Sequence, residues 1–256
     1  MSELVLADFS DRIGIVTLNR AERHNSLVPE LLQGILQTLD DLRRQPELRA
    51  VVLQANGRSF STGGDVRAFY NHLQDIEAYA QTVVGLLNQV ILAFLDFPVP
   101  IVAAVHGIVT GGSLGLVLAS DIVLVAPEAN FTPYYSAVGY SPDGGWTALL
   151  PTLIGARRAA EVLMLNQTIT ADQAVAWGVG SRIVAAGQVR QEARAVAGRI
   201  AGQAAGSVRS AKRLLATGDP RVAIRLEEER QHFVRQIATA EAREGMVAFL
   251  ERGSGR

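Results

Sequence analysis

The chain has 256 residues and a 48% hydrophobic composition, enough apolar material for a sizeable core in one large domain or a domain with an appendage. Lys and Arg number 24 against 25 Asp and Glu, so a net charge of -1 gives no general attraction for nucleic acid or an anionic membrane, and an anionic ligand needs a local basic site. The absence of cysteine excludes disulfides, thiolate metal sites and cysteine nucleophiles.

The first residues, Met-Ser-Glu-Leu-Val-Leu-Ala-Asp, lack the basic segment and apolar run of a secretory signal, and a cytoplasmic location is the expectation. Leu4 to Phe9 and Arg12 to Leu18 read as two strands of a hairpin around Ser10-Asp11. Leu27, Leu31, Leu32, Ile35, Leu36, Leu39 and Leu42 recur at helical spacing and predict a helix to about Arg44, with Ser26 placed to cap it and Pro29 in its first turn. Before that helix, the loop from Arg20 to His24 carries two fixed cations, and its plain reading is a solvated loop. The β-branched run Ala50 to Ala55 predicts a buried strand.

In Ser59-Phe60-Ser61-Thr62-Gly63-Gly64-Asp65, adjacent glycines let the chain turn sharply and present N–H groups, while Asp65 is placed to cap the helix that follows. Phe69, Tyr70, Leu73, Ile76 and Tyr79 form an apolar aromatic stripe, and Val83 to Phe97 continues as a long helical pattern best explained by core packing. Asn88, Gln89, Asp96, Pro98 and Pro100 make Val83 to Val105 a poor membrane span. His72, on this amphipathic segment, reads as solvent-facing or locally satisfied.

Ile101 to Val105 predicts a second buried strand, after which Gly111-Gly112 opens a short helix of small and apolar residues. A helix start leaves N–H groups unpaired beside backbone that a ligand can approach, which suits developing negative charge. The competing reading is that these glycines only permit tight packing. Gly139-Tyr-Ser-Pro-Asp143-Gly-Gly-Trp-Thr147 is a proline and glycine turn bearing one carboxylate. Spacing alone does not say whether the two turns face each other. Beyond it, the pattern predicts a helix to Ile154, a stop at Gly155, a helix from Ala156 to Leu165, a capping box at Thr170 and Gln173, and a closing strand from Val179 to Val184. From Gln188 onward Ala, Arg and Glu dominate at helical spacing, with a helix start at Asp219-Pro220, which divides the chain into a core over 1–187 and a helical region over 188–256.

In order, Leu18-Asn19-Arg20, Phe60-Ser-Thr-Gly-Gly64-Asp65, Ala104-Val-His-Gly with Gly111-Gly112 and Ser120-Asp121, Gly139-Tyr-Ser-Pro-Asp143-Gly-Gly, and Glu244-Gly-Met-Val-Ala-Phe249-Leu resemble the successive signatures of the crotonase (enoyl-CoA hydratase/isomerase) superfamily. The resemblance covers nearly the whole chain. It implies an α/β spiral of ββα units with a helical C-terminal region that packs a homotrimer or dimer of trimers. It also implies an acyl-CoA substrate, no metal, and no cofactor beyond the CoA moiety. Matched residue by residue, Gly64 and Gly112 are the implied backbone donors to the thioester oxygen, and Arg23 is the implied neighbour of the CoA nucleotide. Ser61, Asp65, Val66, Arg67 and Tyr135 are implied in acyl-CoA binding.

Hydratases of the superfamily carry one glutamate three residues after the second donor and another after the next strand. Gly115 and Tyr135 stand there. Hydration needs one group to activate water and another to protonate Cα, so both tools are missing. Asp143 occupies the place where single-acid isomerases, such as the ring-epoxide phenylacetyl-CoA isomerase and the Δ3,Δ2-enoyl-CoA isomerases, carry Asp or Glu. The expected reaction is double-bond isomerisation through an enolate, with Asp143 as a base whose pKa partial burial raises. The competing reading makes Asp143 a cap of a helix beginning at Gly144, with a lowered pKa. A hydratase of low activity and a non-catalytic acyl-CoA-binding protein are the alternatives. The chlorobenzoyl-CoA dehalogenase has its nucleophilic Asp at the same position, but its helper His has no counterpart here and Tyr135 replaces its Trp.

Overall fold

The structure is a computed structural model describing residues 3–215 and 221–254. Strands β1 (Val5–Ser10) and β2 (Ile13–Leu18) pair antiparallel through a two-residue turn whose residues, Asp11 and Arg12, have φ of 52° and 65°. The hairpin turn therefore lies one residue later than Ser10-Asp11, because two left-handed residues match the twist of the strands. Helix α1 (Pro29–Arg43) buries Leu31, Leu32, Ile35, Leu39 and Leu42. Val28 precedes it without a side-chain cap, and Pro29 supplies the preset φ of a first helical position. Ser26 does not cap it: its hydroxyl is bonded to Asp65 and Arg20 instead.

Strand β3 (Ala50–Ala55) is buried at every residue and runs parallel to β2. A continuous apolar run is what a parallel strand covered on both faces requires. After it come α2 (Val66–Asn71), α3 (Ile76–Leu95) and β4 (Ile101–Val105). Helix α3 is apolar and long enough to cross a membrane, with a mean hydropathy of 1.5, yet it packs against α1 as a core helix with Val83, Val84, Leu87 and Ile91 buried. Strand β5 (Ile108–Thr110), a 3-10 turn at Gly111–Ser113, and α4 (Leu114–Leu118) lead into β6 (Ile122–Val125) and β7 (Asn130–Thr132). The chain continues through α5 (Tyr135–Val138), α6 (Leu150–Ile154), α7 (Ala156–Met164), β8 (Ile169–Thr170), α8 (Ala171–Ala176) and β9 (Arg182–Ile183). It ends in α9 (Val189–Ala201), α10 (Ala205–Leu215), α11 (Arg221–Ile237) and α12 (Ala240–Ser254).

The strands form a six-stranded sheet in the order β1-β2-β3-β4-β6-β9 and a three-stranded sheet in the order β5-β7-β8. The closing strand β9 is shorter than Val179 to Val184, because the N–H groups of Val179 and Gly180 bond to the Ala174 carbonyl at the end of α8 rather than to a strand. The predicted capping box is present, with Thr170 and Gln173 each bonded to the other's backbone. The predicted helix start at Asp219-Pro220 lies outside the described residues.

One face of the large sheet packs α1 and α3. Val189, Ala193, Val196 and Ala197 of α9 cover Ile15, Val52, Val102 and Leu124 on the other. Leu226, Phe233 and Ile237 of α11 join the main core, so the helical region over 188–256 shares the core of residues 1–187.

Candidate active site

Two glycine segments and one carboxylate meet at a cavity of about 490 Å³. The first segment follows β3, where hydrogen bonds stitch the chain to its neighbours on both sides. Ser61 bonds through its N–H to the Ile108 carbonyl and through its carbonyl to the Thr110 N–H, Gly63 accepts from Leu27, and Asp65 donates to Leu27. A Cβ on Gly63, whose φ is 70°, would lie 2.5 Å from the Thr110 carbonyl oxygen, so the close crossing of the two segments requires glycine. The second segment turns at Gly111, with φ of 52°, into the 3-10 turn. Among the described residues, neither the Gly64 N–H nor the Gly112 N–H has a protein acceptor, and both glycines line the cavity.

The turn around Asp143 packs directly on this second segment. A Cβ on Gly144 would fall 2.4 Å from the Gly112 carbonyl oxygen and 2.5 Å from its Cα, so the two backbones touch. A Cβ on Gly112 would fall 2.9 and 3.1 Å from the two carboxylate oxygens of Asp143. The carboxylate thus stands against the backbone of the second free donor. Trp146, fully buried, donates its indole N–H to the Gly111 carbonyl at 2.7 Å and ties the two turns together.

Asp143 is 6% exposed, and the Tyr135 hydroxyl donates to its Oδ1 at 2.5 Å. Burial pushes its pKa up to about 7; the Tyr135 hydrogen bond opposes this and the negative charge of Glu229 adds to it. The capping alternative is not realised. The next helix, α6, begins at Leu150, and the residues after Asp143 form a non-helical turn with φ of 63° and 85° at Gly144 and Gly145. Tyr135 is buried, and burial together with the adjacent Asp143 raises its hydroxyl well above the usual phenol range.

Asp65 is 5% exposed and caps α2 by accepting from the N–H groups of Arg67 and Ala68. It also pairs with Arg20 at 2.9 Å and Arg23 at 3.1 Å. Burial alone would raise its carboxyl, but Arg20, the Ala68 N–H and Arg23 outweigh it and hold the carboxyl below the ordinary range. Arg23, half-buried, is fixed at the cavity mouth by this pairing, and Val66 and the exposed Arg67 also line the cavity. Ser61 does not. It is fully buried, and its hydroxyl donates to the Asn25 carbonyl at 2.7 Å, so its role is to hold the loop. His72 stacks on Tyr79 and contacts Asp75, away from the cavity lining.

Residues 8–255 match the model of the enoyl-CoA hydratase/isomerase family. The chain belongs to that family. It is 32% identical over 249 residues to a putative enoyl-CoA hydratase of Thermus thermophilus, covering 94% of this chain and 95% of that protein. It is 29% identical over 258 residues to the 1,2-epoxyphenylacetyl-CoA isomerase of Escherichia coli, covering 99% and 98%. Among solved structures it superposes on Pseudomonas aeruginosa OdaA with a TM-score of 0.88, at 28% identity over 98% of this chain and all of the other. The crotonase fold, an α/β sheet structure with a helical C-terminal region, agrees with the reading of the motifs.

Within this family the position of Gly115 is informative. A Cβ there would lie 2.4 Å from Cδ1 of Ile91 and 2.7 Å from the Gly144 carbonyl oxygen. The Asp143 turn occupies the space that a side chain at residue 115 would need. Phe69, Val83, Leu87, Tyr140 and Phe233 give the cavity an apolar end. Phe233 and Glu229 come from α11, about ninety residues beyond Asp143, in a stretch whose pattern says only helix.

Proposed function

We propose that this family member isomerises the double bond of an enoyl-CoA thioester, using Asp143 as its single acid-base group. The thioester oxygen takes the two free N–H groups of Gly64 and Gly112, where negative charge develops as the enolate forms. Asp143 takes a proton from Cα of a 3-enoyl thioester, electron density passes through the conjugated dienolate, and the same carboxyl returns the proton at Cγ. The double bond moves from the β,γ to the α,β position, with no net change in protons. One carboxylate is sufficient for this shift, and a pKa near 7 suits both halves of it. CoA lies along Arg23 and Arg67 at the cavity mouth, and the acyl chain lies among Phe69, Leu87 and Phe233.

The observation that carries this reading is the packing of Gly115 against the Asp143 turn. Hydration needs a second acid-base group facing the same thioester, and the backbone leaves no room for a side chain at residue 115, while Tyr135 spends its hydroxyl on Asp143. The names of relatives support each activity, hydratase for one and isomerase for another. The test is to supply purified protein with 3-enoyl-CoA and 2-enoyl-CoA thioesters and to compare the two rates. Isomerisation of the 3-enoyl substrate with hydration of crotonyl-CoA at least roughly 100-fold slower is expected, the scale of losing one general acid or base. Hydration as fast as isomerisation would refute the single-acid reading.

A further inference from the structure

Helix α11 holds the turn bearing Asp143 from behind. Arg225 and Glu229 lie four residues apart and share one face of that helix. Arg225 donates to the Thr147 carbonyl oxygen at 2.7 Å. Glu229, 4% exposed, accepts the Gly145 N–H at 2.8 Å through Oε2. Through Oε1 it accepts the Thr147 N–H at 2.7 Å, the Thr147 hydroxyl at 2.7 Å and the Ala148 N–H at 2.9 Å. The Thr147 and Ala148 N–H groups follow two glycines of positive φ, Gly144 and Gly145, so no preceding helical turn supplies carbonyls for them. Three of the four partners are backbone N–H groups, which can only donate and so suit a carboxylate.

The same helix is anchored to the site a second way. Asn88 of α3 donates to the Leu226 carbonyl at 2.9 Å, and Leu87, its neighbour, packs where a Cβ on Gly112 would point. Asp143 therefore sits between the Gly112 backbone in front and a turn whose N–H groups are gathered on one buried carboxylate behind. We propose that Glu229 is a positioning residue for Asp143, fixing where that carboxylate stands against Gly112 and keeping a negative charge beside it. The proposal rests on Asp143 being the acid-base group. The titratable groups facing Asp143 are Tyr135 from α5 and Glu229 from α11, whereas α3 and the Gly111–Ser113 turn present apolar side chains and backbone. Behind Glu229, a second cavity of about 390 Å³ is lined by Arg225, Glu228 and His232. Burial raises the Glu229 carboxyl and the four donors oppose this, while its charge in turn raises Asp143.

Glu229→Gln keeps the size of the side chain, removes the charge and puts an amide N–H₂ where a backbone N–H needs an acceptor. Two readouts decide its effect: a carbon-13 NMR titration of the Asp143 carboxyl, which needs no substrate, and kcat and KM on the 3-enoyl-CoA. The Asp143 titration should move about 1 pH unit lower, the scale of removing one like charge nearby. The kcat should fall about 10-fold or more with KM nearly unchanged, because misplacement of a base affects the chemical step. Glu229→Asp, which keeps the charge but shortens the reach, should leave the titration near that of the wild type and lower kcat alone. An unmoved Asp143 titration in a folded Glu229→Gln variant, with kcat unchanged per folded molecule, would overturn the proposal. If Gln prevents folding, Glu229→Asp decides, since wild-type kcat in that variant would equally overturn it. If the wild type turns over no enoyl-CoA, the isomerase reading fails, while the titration still reports whether Glu229 acts on Asp143.

Discussion

Asp143 is a carboxyl that folding removes from water without giving it a cation. Its pKa of about 7 in the folded chain, against an ordinary 3.8, means that the native state binds its proton more tightly than the unfolded state does. The sign follows directly. The contribution to stability is fully present below about pH 4 and is lost as the pH rises through about 7, by an amount on the order of 4 kcal/mol at most. Asp143→Asn removes that penalty while retaining an oxygen for the Tyr135 hydroxyl. Thermal melts should therefore show the variant gaining stability over the wild type from pH 5 to pH 8. A difference that does not change with pH would contradict a buried, unpaired carboxyl. Asp143, Gly64 and Gly112 were picked out in the sequence by the resemblance of their motifs to those of the superfamily, and the structure brings all three to one cavity. Glu229 was not, since Glu227-Glu228-Glu229-Arg230 reads as a solvated run, and Glu227 does pair with Arg230 at the surface. A finer signal existed: Leu226, Glu229, Phe233 and Ile237 fall on one helical stripe, and all four are buried.

At the scale of elements, the site depends on two turns that approach closer than side chains allow. Sequence spacing did not reveal that Gly144 rests on Gly112, because the contact joins segments thirty residues apart through backbone atoms alone. Strands Ala50–Ala55 and Ile101–Val105 were legible to the residue, since continuous apolar runs bounded by turn residues have little freedom of register. Element ends were less so. Ser26 has the chemistry of a cap but is drawn to Asp65 and Arg20, a tertiary choice that no local pattern contains. The turn contact makes its own prediction. Gly115→Ala places a methyl group against Ile91 and the Gly144 carbonyl, and overpacking of this kind typically costs about 1–3 kcal/mol. Denaturant titration should register that loss, and isomerisation should fall with it because the Asp143 turn is pushed away from Gly112. A Gly115→Ala protein as stable and as active as the wild type would show that the turns are not packed as described.

Over the whole molecule, the cavity is closed by residues from both ends of the chain, with Glu22, Arg23 and Leu27 on one side and Phe233 and Phe249 on another. The composition of residues 188–256 marks them as helical, but not that α9 covers one face of the sheet or that α11 holds the turn bearing Asp143. That helical region leaves Leu214 and Leu215 of α10 exposed, and Met164 and Leu165 at the end of α7 are also exposed; we propose that the chain assembles as a trimer or dimer of trimers, as the superfamily resemblance implies. The most direct measurement is the turnover of a 3-enoyl-CoA by wild type and Asp143→Asn across pH 5 to 9. The wild-type kcat/KM should rise with pH through about 7, as the base ionises, and then level off. Asp143→Asn should fall by about 100-fold or more and lose that pH dependence while remaining folded. Near wild-type turnover by folded Asp143→Asn would contradict the assignment of Asp143 as the group that moves the proton.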